Sequence, residues 1–323
     1  MPKKLIIVIP CYNEADCLPV TMPALDKHLS MLKERSLCAQ DSFLLFVNDG
    51  STDSTEDVLF LFCEGSVQAR FLSLAVNAGH QNALLAGMDY ARGKCDMMIS
   101  IDADLQQDPM AMIDFIRQYE QGYDIVMGVR RTRDTDSAFK RVTAKGYYRL
   151  MRMFGVHIVP NHADYRLLSA RVLDALAQYR EVNLFLRGLI SSMGFRSCTV
   201  EYEVSPRMQG KTKYSLSKML DLAFSGITSF SITPLRMVTG MGFLCLLVSL
   251  GWIVYDLIAF FGGQTVSGWA SLGIALWAIG GLLMISLGIV GEYIGRIYLE
   301  TKNRPRYLLS QVYEGKQDDA NVD

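Results

Sequence analysis

Two long apolar stretches constrain this sequence more than any other feature. Met237 to Tyr255 runs for 19 residues without Asp, Glu, Lys or Arg, and Trp269 to Gly291 runs for 23. A helix needs about 20 apolar residues to cross the hydrocarbon of a bilayer. Two buried core helices are the alternative, but neither stretch has the polar face of a surface helix. The sequence therefore predicts a transmembrane hairpin over residues 235–294, with helices at about 236–258 and 269–292.

The charges that flank this hairpin predict its orientation. The connecting segment from Asp256 to Gly268 has no Lys or Arg, whereas Arg236 precedes the first span. The second span is followed by Arg296, Lys302, Arg304 and Arg306. Because basic residues concentrate on the cytoplasmic side of membranes, both flanks are expected in the cytoplasm. Residues 295–323 are then a cytoplasmic C-terminal tail, and the protein is multi-pass with its bulk in the cytoplasm.

The composition narrows the class of protein further. The 32 basic and 33 acidic residues give a net charge of -1, which argues against a nucleic-acid partner. Seven scattered cysteines without a C-x-x-C pair are typical of free thiols in a reducing compartment. The apolar run from Leu5 to Ile9 is short and ends at Pro10, so no signal peptide is expected.

Residues 1–210 alternate between strand-like and helix-like segments. Strands are predicted at Leu5–Ile9, Phe43–Val47, Phe71–Leu74, Met97–Ile101 and Ile125–Met127, with helices near 16–35, 54–63, 81–91 and 109–119. This alternation predicts an α/β domain with a Rossmann-like, mostly parallel sheet. Ligands of such sheets bind at the carboxyl ends of the strands. Polar residues follow each predicted strand: Asn13 and Glu14, Asn48, Asp49 and Ser51, Asn77, Asp102 and Asp104, and Arg130 and Arg131.

Residues 211–234 predict an amphipathic juxtamembrane helix. Apolar residues recur there at helical spacing: Leu216, Met219, Leu220, Phe224, Ile227 and Phe230. The helix either lies in the membrane interface or packs on the domain. Its position beside a membrane span favours the interface.

The sequence Asp102-Ala103-Asp104 directly follows an apolar strand. Mg²⁺ or Mn²⁺ is commonly held by one or two carboxylates together with substrate phosphates, so the pair predicts a metal that would bridge a diphosphate. A helix cap or a solvated turn is the alternative. The sequence has no G-x-G-x-x-G after the first strand and no G-x-x-x-x-G-K-[ST], which excludes a dinucleotide fingerprint and a P-loop.

These motifs together resemble the family 2 glycosyltransferases of the GT-A fold. The motifs are 10–14, 48–51, 77–79 and 102–106, followed by 163–167, 207–214, 233–236 and 291–296. Within that family the chain resembles the polyprenyl-phosphate glycosyltransferases, and it is most similar to the bactoprenol (undecaprenyl-phosphate) glucosyltransferases. Dolichol-phosphate mannose synthase belongs to the same group.

The resemblance implies roles for the residues at the strand ends. Pro10, Tyr12 and Glu14 would line the nucleoside pocket, with Glu14 on ribose hydroxyls, although a carboxylate stabilised by a helix N-terminus is the alternative for Glu14. Asp49 would face the base. Asp102 would lie near the ribose or the sugar and share the metal with Asp104, its main ligand.

Asp164 is the candidate general base that the resemblance implies. An acceptor phosphate that is already ionised needs little deprotonation, so we expect Asp164 to orient the acceptor or Arg166. His80 lies in a loop where relatives vary, and we interpret it as structural.

Basic residues after the fifth strand would bind the phosphate of the lipid acceptor, because guanidinium groups match phosphate oxygens. They are Arg130, Arg131, Lys140 and Arg141. A solvated charge run is the alternative. Arg207, Lys211 and Lys213 form a second basic cluster, of which Arg207 and Lys211 are assigned to the same phosphate. They either close over the diphosphate or contact anionic head groups, and both alternatives remain open.

The resemblance implies inverting transfer of a hexose, with glucose from UDP-glucose as the first choice, to undecaprenyl phosphate. It implies Mg²⁺ or Mn²⁺, the bacterial inner membrane and a homo-oligomer, a tetramer in related enzymes. UDP-N-acetylglucosamine, GDP-mannose and UDP-formamido-arabinose are alternative donors. An inactive membrane scaffold that keeps nucleotide binding is the alternative of another class. A processive polysaccharide synthase is disfavoured because no Q-x-x-R-W motif is present.

Overall fold

The computed structural model describes residues 2–131, 162–181, 186–203, 233–262 and 269–315. Lys140, Arg141, Arg207 and Lys211 lie outside these residues, as does the predicted amphipathic helix up to residue 232. The described residues belong to two compact units. The first comprises 2–131, 162–181, 186–203 and 305–315, and the second comprises 233–262 and 269–304.

The first unit begins with the predicted alternation of strands and helices. Its elements are β1 (Leu5–Cys11), α1 (Leu18–Glu34), β2 (Phe43–Asn48), α2 (Thr55–Gly65), β3 (Ala69–Leu74), α3 (His80–Ala91), β4 (Met97–Ser100), α4 (Ala111–Glu120) and β5 (Ile125–Arg130). They continue with β6 (His162–Ser169), α5 (Ala170–Leu176), α6 (Leu186–Ser192) and β7 (Ser197–Tyr202). The five strands and four helices expected from the sequence are all present, and the α/β fold class is confirmed.

The described strands form one mixed sheet in the order β7-β5-β6-β4-β1-β2-β3-β8, where β8 is Leu309–Tyr313. β1 pairs in parallel with both β2 and β4, and β2 with β3. β6 runs antiparallel between β4 and β5, and β8 runs antiparallel to β3. The carboxyl ends of β1 to β5 consequently share one edge of the sheet. Because β6 runs the other way, its first residues lie at that same edge.

The core surrounds the central strands. All seven residues of β1 are buried, as expected for an interior strand that is covered on both faces. Gly87 of α3 lets that helix approach the sheet closely, because a Cβ there would lie 2.4 Å from a Val8 methyl carbon. On the α4 side, the Tyr165 ring packs against Phe115 at 4.6 Å and Tyr202 at 5.2 Å.

The second unit contains two long helices, α7 (Thr233–Phe261) and α8 (Trp269–Thr301). They coincide with the two predicted spans, and α8 extends beyond the residue 292 expected as its end. Among the described residues, the stretch Ile279–Thr301 is long and apolar enough to cross a membrane, and Leu235–Cys245 is a shorter apolar stretch.

Residues 305–315, a part of the cytoplasmic C-terminal tail expected over 295–323, belong to the first unit. Leu309–Tyr313 forms β8 at the edge of the sheet, with Val312 opposite Leu72 of β3 in the same chain. This strand thus completes the chain's own sheet. The Tyr313 ring stacks on Phe71 at 5.4 Å and meets Phe60 at 5.3 Å, which gives this strand its apolar anchor.

Candidate active site

The loops that follow β1 and β2 hold each other at the carboxyl edge of the sheet. Asn13 adopts a left-handed φ of +53°, and its side-chain oxygen accepts a hydrogen bond from Thr52 N at 2.9 Å. Asn13 N donates to Ser51 Oγ at 3.0 Å. Asparagine tolerates this backbone conformation better than most residues. Asn13, which looked like a ligand-facing residue, therefore shapes the loop.

The predicted nucleoside residues differ in exposure. Pro10 is buried within β1, whereas Tyr12 is 41% exposed just beyond it. Glu14 N donates to Thr55 Oγ1 at 2.9 Å, and its carboxylate accepts the thiol of Cys17 at 3.0 Å. Tyr12 and Glu14 thus lie where a ligand at this edge can reach them.

Asp49 is committed to the loop that follows β3. Its carboxylate is buried and accepts Ala78 N at 2.7 Å and Gly79 N at 3.0 Å. Burial raises the pKa of Asp49, against the lowering effect of these two bonds. Next to it, Gly50 has φ of +59°, and a Cβ there would lie 2.4 Å from the Val76 carbonyl carbon, so glycine is needed. Asp49 therefore fixes the 77–79 loop, a role that the sequence did not indicate.

Asp102, Ala103 and Asp104 form a turn beyond β4, called the carboxylate turn below. Asp102 N donates to Gln107 Oε1 at 2.9 Å, and Gln107 Nε2 returns a bond to Asp102 Oδ2 at 2.6 Å. Gln106 N donates to Asp104 Oδ1 at 3.1 Å. The turn is closed by its own downstream residues, so both carboxylates keep defined positions at the sheet edge.

His80, the first residue of α3, lies between two carboxylates. Its Nε2 is 3.4 Å from Asp164 Oδ2 and 3.8 Å from Asp102 Oδ1. Burial alone would lower the pKa of His80, but the hydrogen bond to Asp164 and the charges of both carboxylates raise it. Burial raises the pKa of Asp102, and the charges of the neighbouring carboxylates raise it as well. The charge of His80 lowers it. His80 therefore joins the carboxylate turn to β6.

Asp164 is held by two arginines as well as by His80. Arg187 of α6 donates to it twice, from Nε at 3.2 Å and from Nη2 at 2.8 Å. Arg166, fully buried on β6, donates a further bond from Nη2. Burial would raise the pKa of Asp164, but these positive charges hold it well below its usual range. Asp164 is thus a fixed anion, which is a weak proton acceptor.

Arg130 is the last residue of β5, and Arg131 directly follows it at the same edge. Both are exposed, and Arg131 Nη1 lies 3.9 Å from the exposed Glu203 carboxylate. Arg130 is paired in register with Tyr202 of β7. These two arginines are accessible from solvent, and their binding of a phosphate stays a prediction.

Two parts of the chain match known protein families. Residues 6–177 match the model of glycosyl transferase family 2, and residues 233–297 match the GtrB C-terminal hairpin. The chain belongs to glycosyl transferase family 2. The resemblance found in the motifs is thereby confirmed, and the protein is a glycosyltransferase.

Relatives match this glycosyltransferase over nearly its full length. An uncharacterized glycosyltransferase, YkoT of Bacillus subtilis, is 47% identical and covers 94% of this chain and 90% of its own. A prophage bactoprenol glucosyl transferase homolog of Escherichia coli is 36% identical, covering 96% and 99%. A mannosyltransferase of Pyrobaculum calidifontis, solved with GDP-Man and Mn²⁺, aligns over 93% of this chain and 85% of its own with 15% identity and a TM-score of 0.47.

The glycosyltransferase offers two carboxylates, Asp102 and Asp104, to a hard cation. Within the described residues, no three His, Cys, Asp or Glu side chains are arranged to enclose a metal ion. Mg²⁺ is usually bound by one or two carboxylates with phosphate oxygens of the substrate completing the shell. The donor set therefore fits a divalent cation that arrives with a diphosphate.

Sequence reasoning missed four residues of this glycosyltransferase site. His80 was interpreted as structural, although its place at the start of a helix after the third strand was a usable signal. Arg187 is 23 residues from Asp164, and no local pattern connects the two. Thr21 and Gln107, which contact the carboxylate turn, also carry no motif of their own.

Proposed function

We propose that this glycosyltransferase transfers a hexose, glucose from UDP-glucose as first choice, to undecaprenyl phosphate at the cytoplasmic face of a bacterial inner membrane. The convergence of Glu14, the carboxylate turn and Arg130 at one sheet edge carries the proposal. In this arrangement the carboxylates are available to a metal ion bound with the nucleotide. The Arg130 guanidinium is available to the acceptor phosphate. Relatives at 36% identity that bear the name bactoprenol glucosyl transferase support the acceptor.

On the donor side, the Glu14 carboxylate accepts hydrogen bonds from the ribose hydroxyls, and the exposed ring of Tyr12 lies beside the base. Asp49 acts through the 77–79 loop, whose N–H groups it holds. Asp102 and Asp104 would hold Mg²⁺ or Mn²⁺, which neutralises charge on the leaving diphosphate. The carboxylates are in place before substrate arrives, so little reorganisation is required.

On the acceptor side, Arg130 and Arg131 bind the lipid phosphate, together with Lys140, Arg141, Arg207 and Lys211, which lie outside the described residues. A phosphate oxygen attacks the anomeric carbon in a single displacement, the bond to the diphosphate breaks, and the configuration inverts. The nucleophile is already an anion, so no general base is needed. Asp164 therefore acts by holding Arg187 and His80 beside the carboxylate turn.

The two helices of the second unit supply the membrane attachment in this proposal. The chain is multi-pass, with residues 235–294 as the hairpin and residues 1–210 and the C-terminal segment on the cytoplasmic side. The 211–234 segment, proposed for the membrane interface, lies up to residue 232 outside the described residues. A lipid-linked acceptor presents its phosphate at the membrane surface, so a hairpin keeps the enzyme where its substrate is.

The homotetramer implied by the resemblance is tested by light scattering of the protein in detergent.

The test is transfer to undecaprenyl phosphate by the purified full chain in detergent. UDP-glucose, UDP-N-acetylglucosamine, GDP-mannose and UDP-formamido-arabinose are compared, each with MnCl₂ and with EDTA. We expect metal-dependent lipid-linked product from one donor and a loss of at least about 100-fold in Asp104→Asn. Asp114→Asn, on the exposed surface of α4, is the matched control. Absence of product with every donor would contradict the proposal and favour the scaffold that only binds nucleotide.

A further inference from the structure

The carboxylate turn is supported from helix α1 by Thr21. The Thr21 side chain is 2% exposed, and its hydroxyl donates to the Ala103 carbonyl at 2.7 Å across a separation of 82 residues. Ala103 is the central residue of the turn and is itself buried. This bond therefore fixes the turn to a rigid helix and not merely to neighbouring loop residues.

Gln107 supports the same turn from the other side. Its side chain is 1% exposed and makes the two reciprocal bonds with the backbone and carboxylate of Asp102 described above. A buried amide with both ends bonded to one residue allows that residue few orientations. Asp102 is thus held through its main chain and its side chain together.

The turn needs this support because its backbone is strained. Leu105, directly after Asp104, has φ of +50°, a left-handed conformation that is unfavourable for leucine. Conformations of this kind persist only when the surrounding structure imposes them. Thr21 and Gln107 supply buried contacts to Ala103 and Asp102, which directly precede this strained position.

We propose that Thr21 and Gln107 are positioning residues that hold the carboxylate turn in the conformation that binds a divalent cation with the donor diphosphate. The inference rests on the proposed function and deepens its metal site. Residues that orient metal ligands commonly contribute 10- to 100-fold to metal affinity, and neither residue has to touch the substrate to do so.

The test compares nucleotide binding with and without metal. UDP and, in parallel, GDP are titrated by calorimetry into the full chain in detergent, once with MnCl₂ and once with EDTA. The measured quantity is the ratio of the two affinities. In Thr21→Val, which keeps the branched shape and loses the hydroxyl, this ratio should fall by about tenfold. Affinity in EDTA should change less than twofold.

Matched variants separate positioning from general stability. Thr21→Ser retains the hydroxyl and should keep the wild-type ratio, as should Thr199→Val on the exposed side of β7. Gln107→Leu acts on the same turn from the other side and should lower the ratio like Thr21→Val. Thermal melts confirm that each variant is folded, and Gln107→Leu decides the question if Thr21→Val does not fold.

Two results overturn the inference. One is an equal loss of affinity with MnCl₂ and with EDTA in the folded variants, which indicates a role in the fold alone. The other is a wild-type protein that gains nothing from MnCl₂ with either nucleotide. In that second case, transfer measured in EDTA shows whether the proposed glycosyl transfer survives without a metal.

Discussion

At the scale of single residues, the site is dominated by one buried ion-pair network. Asp164 is 6% exposed and accepts hydrogen bonds from Arg166 and Arg187, while Arg166 has no exposed surface. Within the described part of the chain, Arg166 Nε and Nη1 have no hydrogen-bond partner. The guanidinium therefore depends on Asp164 for its compensation. Burying a charge without its partner is among the most costly changes a core can undergo.

Asp164→Asn should lower the free energy of unfolding of the first unit by about 3 kcal/mol, because it leaves Arg166 buried without a counter-charge. The free energy of unfolding is measured by urea denaturation of the full chain in detergent. The pKa of Asp164 is lowered in the folded state, so its contribution is fully present above the pKa of an unfolded aspartate, about 3.9. It is lost as the pH falls through the folded value.

The part of the deficit that comes from Arg166 should therefore be constant well above about pH 3.9 and shrink under acid conditions. The part that comes from His80, whose pKa Asp164 raises, should be lost as the pH rises through the raised pKa of His80. Asp114→Asn, whose carboxylate is exposed, serves as the control and should lie within about 0.5 kcal/mol of wild type. Wild-type stability in Asp164→Asn would mean that the buried arginine is compensated elsewhere.

At the scale of elements, close approach of α3 to the sheet places His80 at the site. The helix starts at His80 and passes over β1, where Gly87 meets Val8. A methyl group at residue 87 has no room without moving the helix or the strand. The position of His80 at the carboxyl edge of the sheet thus depends on Gly87, two helical turns along α3.

Gly87→Ala should destabilise the fold by about 1–3 kcal/mol through overpacking. Gly65→Ala, in α2, is the matched control because a Cβ there meets nothing within 4 Å. Alanine also favours a helix over glycine, so this control should be neutral or stabilising. Equal thermal midpoints for the two variants would contradict the packing explanation.

The edge strand β8 is an element that the sequence did not predict. Its inner face depends on Tyr313, and Val312 is 45% exposed. Tyr307 Oη also donates to Asp89 of α3 at 2.7 Å. The segment after the hairpin is therefore bonded to both the sheet and α3.

Tyr313→Ala should lower the free energy of unfolding by about 2–3 kcal/mol, because the ring loses its contacts with Phe71 and Phe60. Val312→Ala, on the exposed side of the same strand, should cost less than about 1 kcal/mol. If the two substitutions have equal effects in chemical denaturation, β8 is not anchored by its ring.

At the scale of the whole molecule, two units serve one proposed reaction. The α/β unit carries the carboxylates and arginines, and the two-helix unit carries the apolar segments. Basic residues flank the helices only outside the hairpin, which sets the expected orientation. None of the seven cysteines forms a disulfide, and their thiols provide a way to test that orientation.

In intact spheroplasts, a membrane-impermeant thiol reagent should label Gly262→Cys at the hairpin connection. It should not label wild type or Lys302→Cys until the membrane is permeabilised. The expected difference follows from the positive-inside rule. Labelling of wild type from outside would place the catalytic unit on the wrong side of the membrane and contradict the proposed localisation.

The sequence by itself determined β1 to β5, the four helices among them and the two long apolar helices. Apolar runs bounded by polar residues gave the locations of β1 to β5, because an interior strand must bury both faces. Uncharged stretches located α7 and α8, because a membrane span requires about 20 apolar residues. The edge where Glu14, Asp49, Asp102 and Asp104 meet followed from the rule for parallel strands.

Only the tertiary structure decided which residues contact one another at that edge. Antiparallel β6 enters between β4 and β5 and brings Asp164 within 3.4 Å of His80, a pairing across 84 positions that no local pattern encodes. The contacts of Thr21 with Ala103 and of β8 with β3 arise in the same way. Local sequence fixes the conformation of a segment through propensity and burial. Contacts between distant segments depend on how the whole core packs, so they become visible only in the fold.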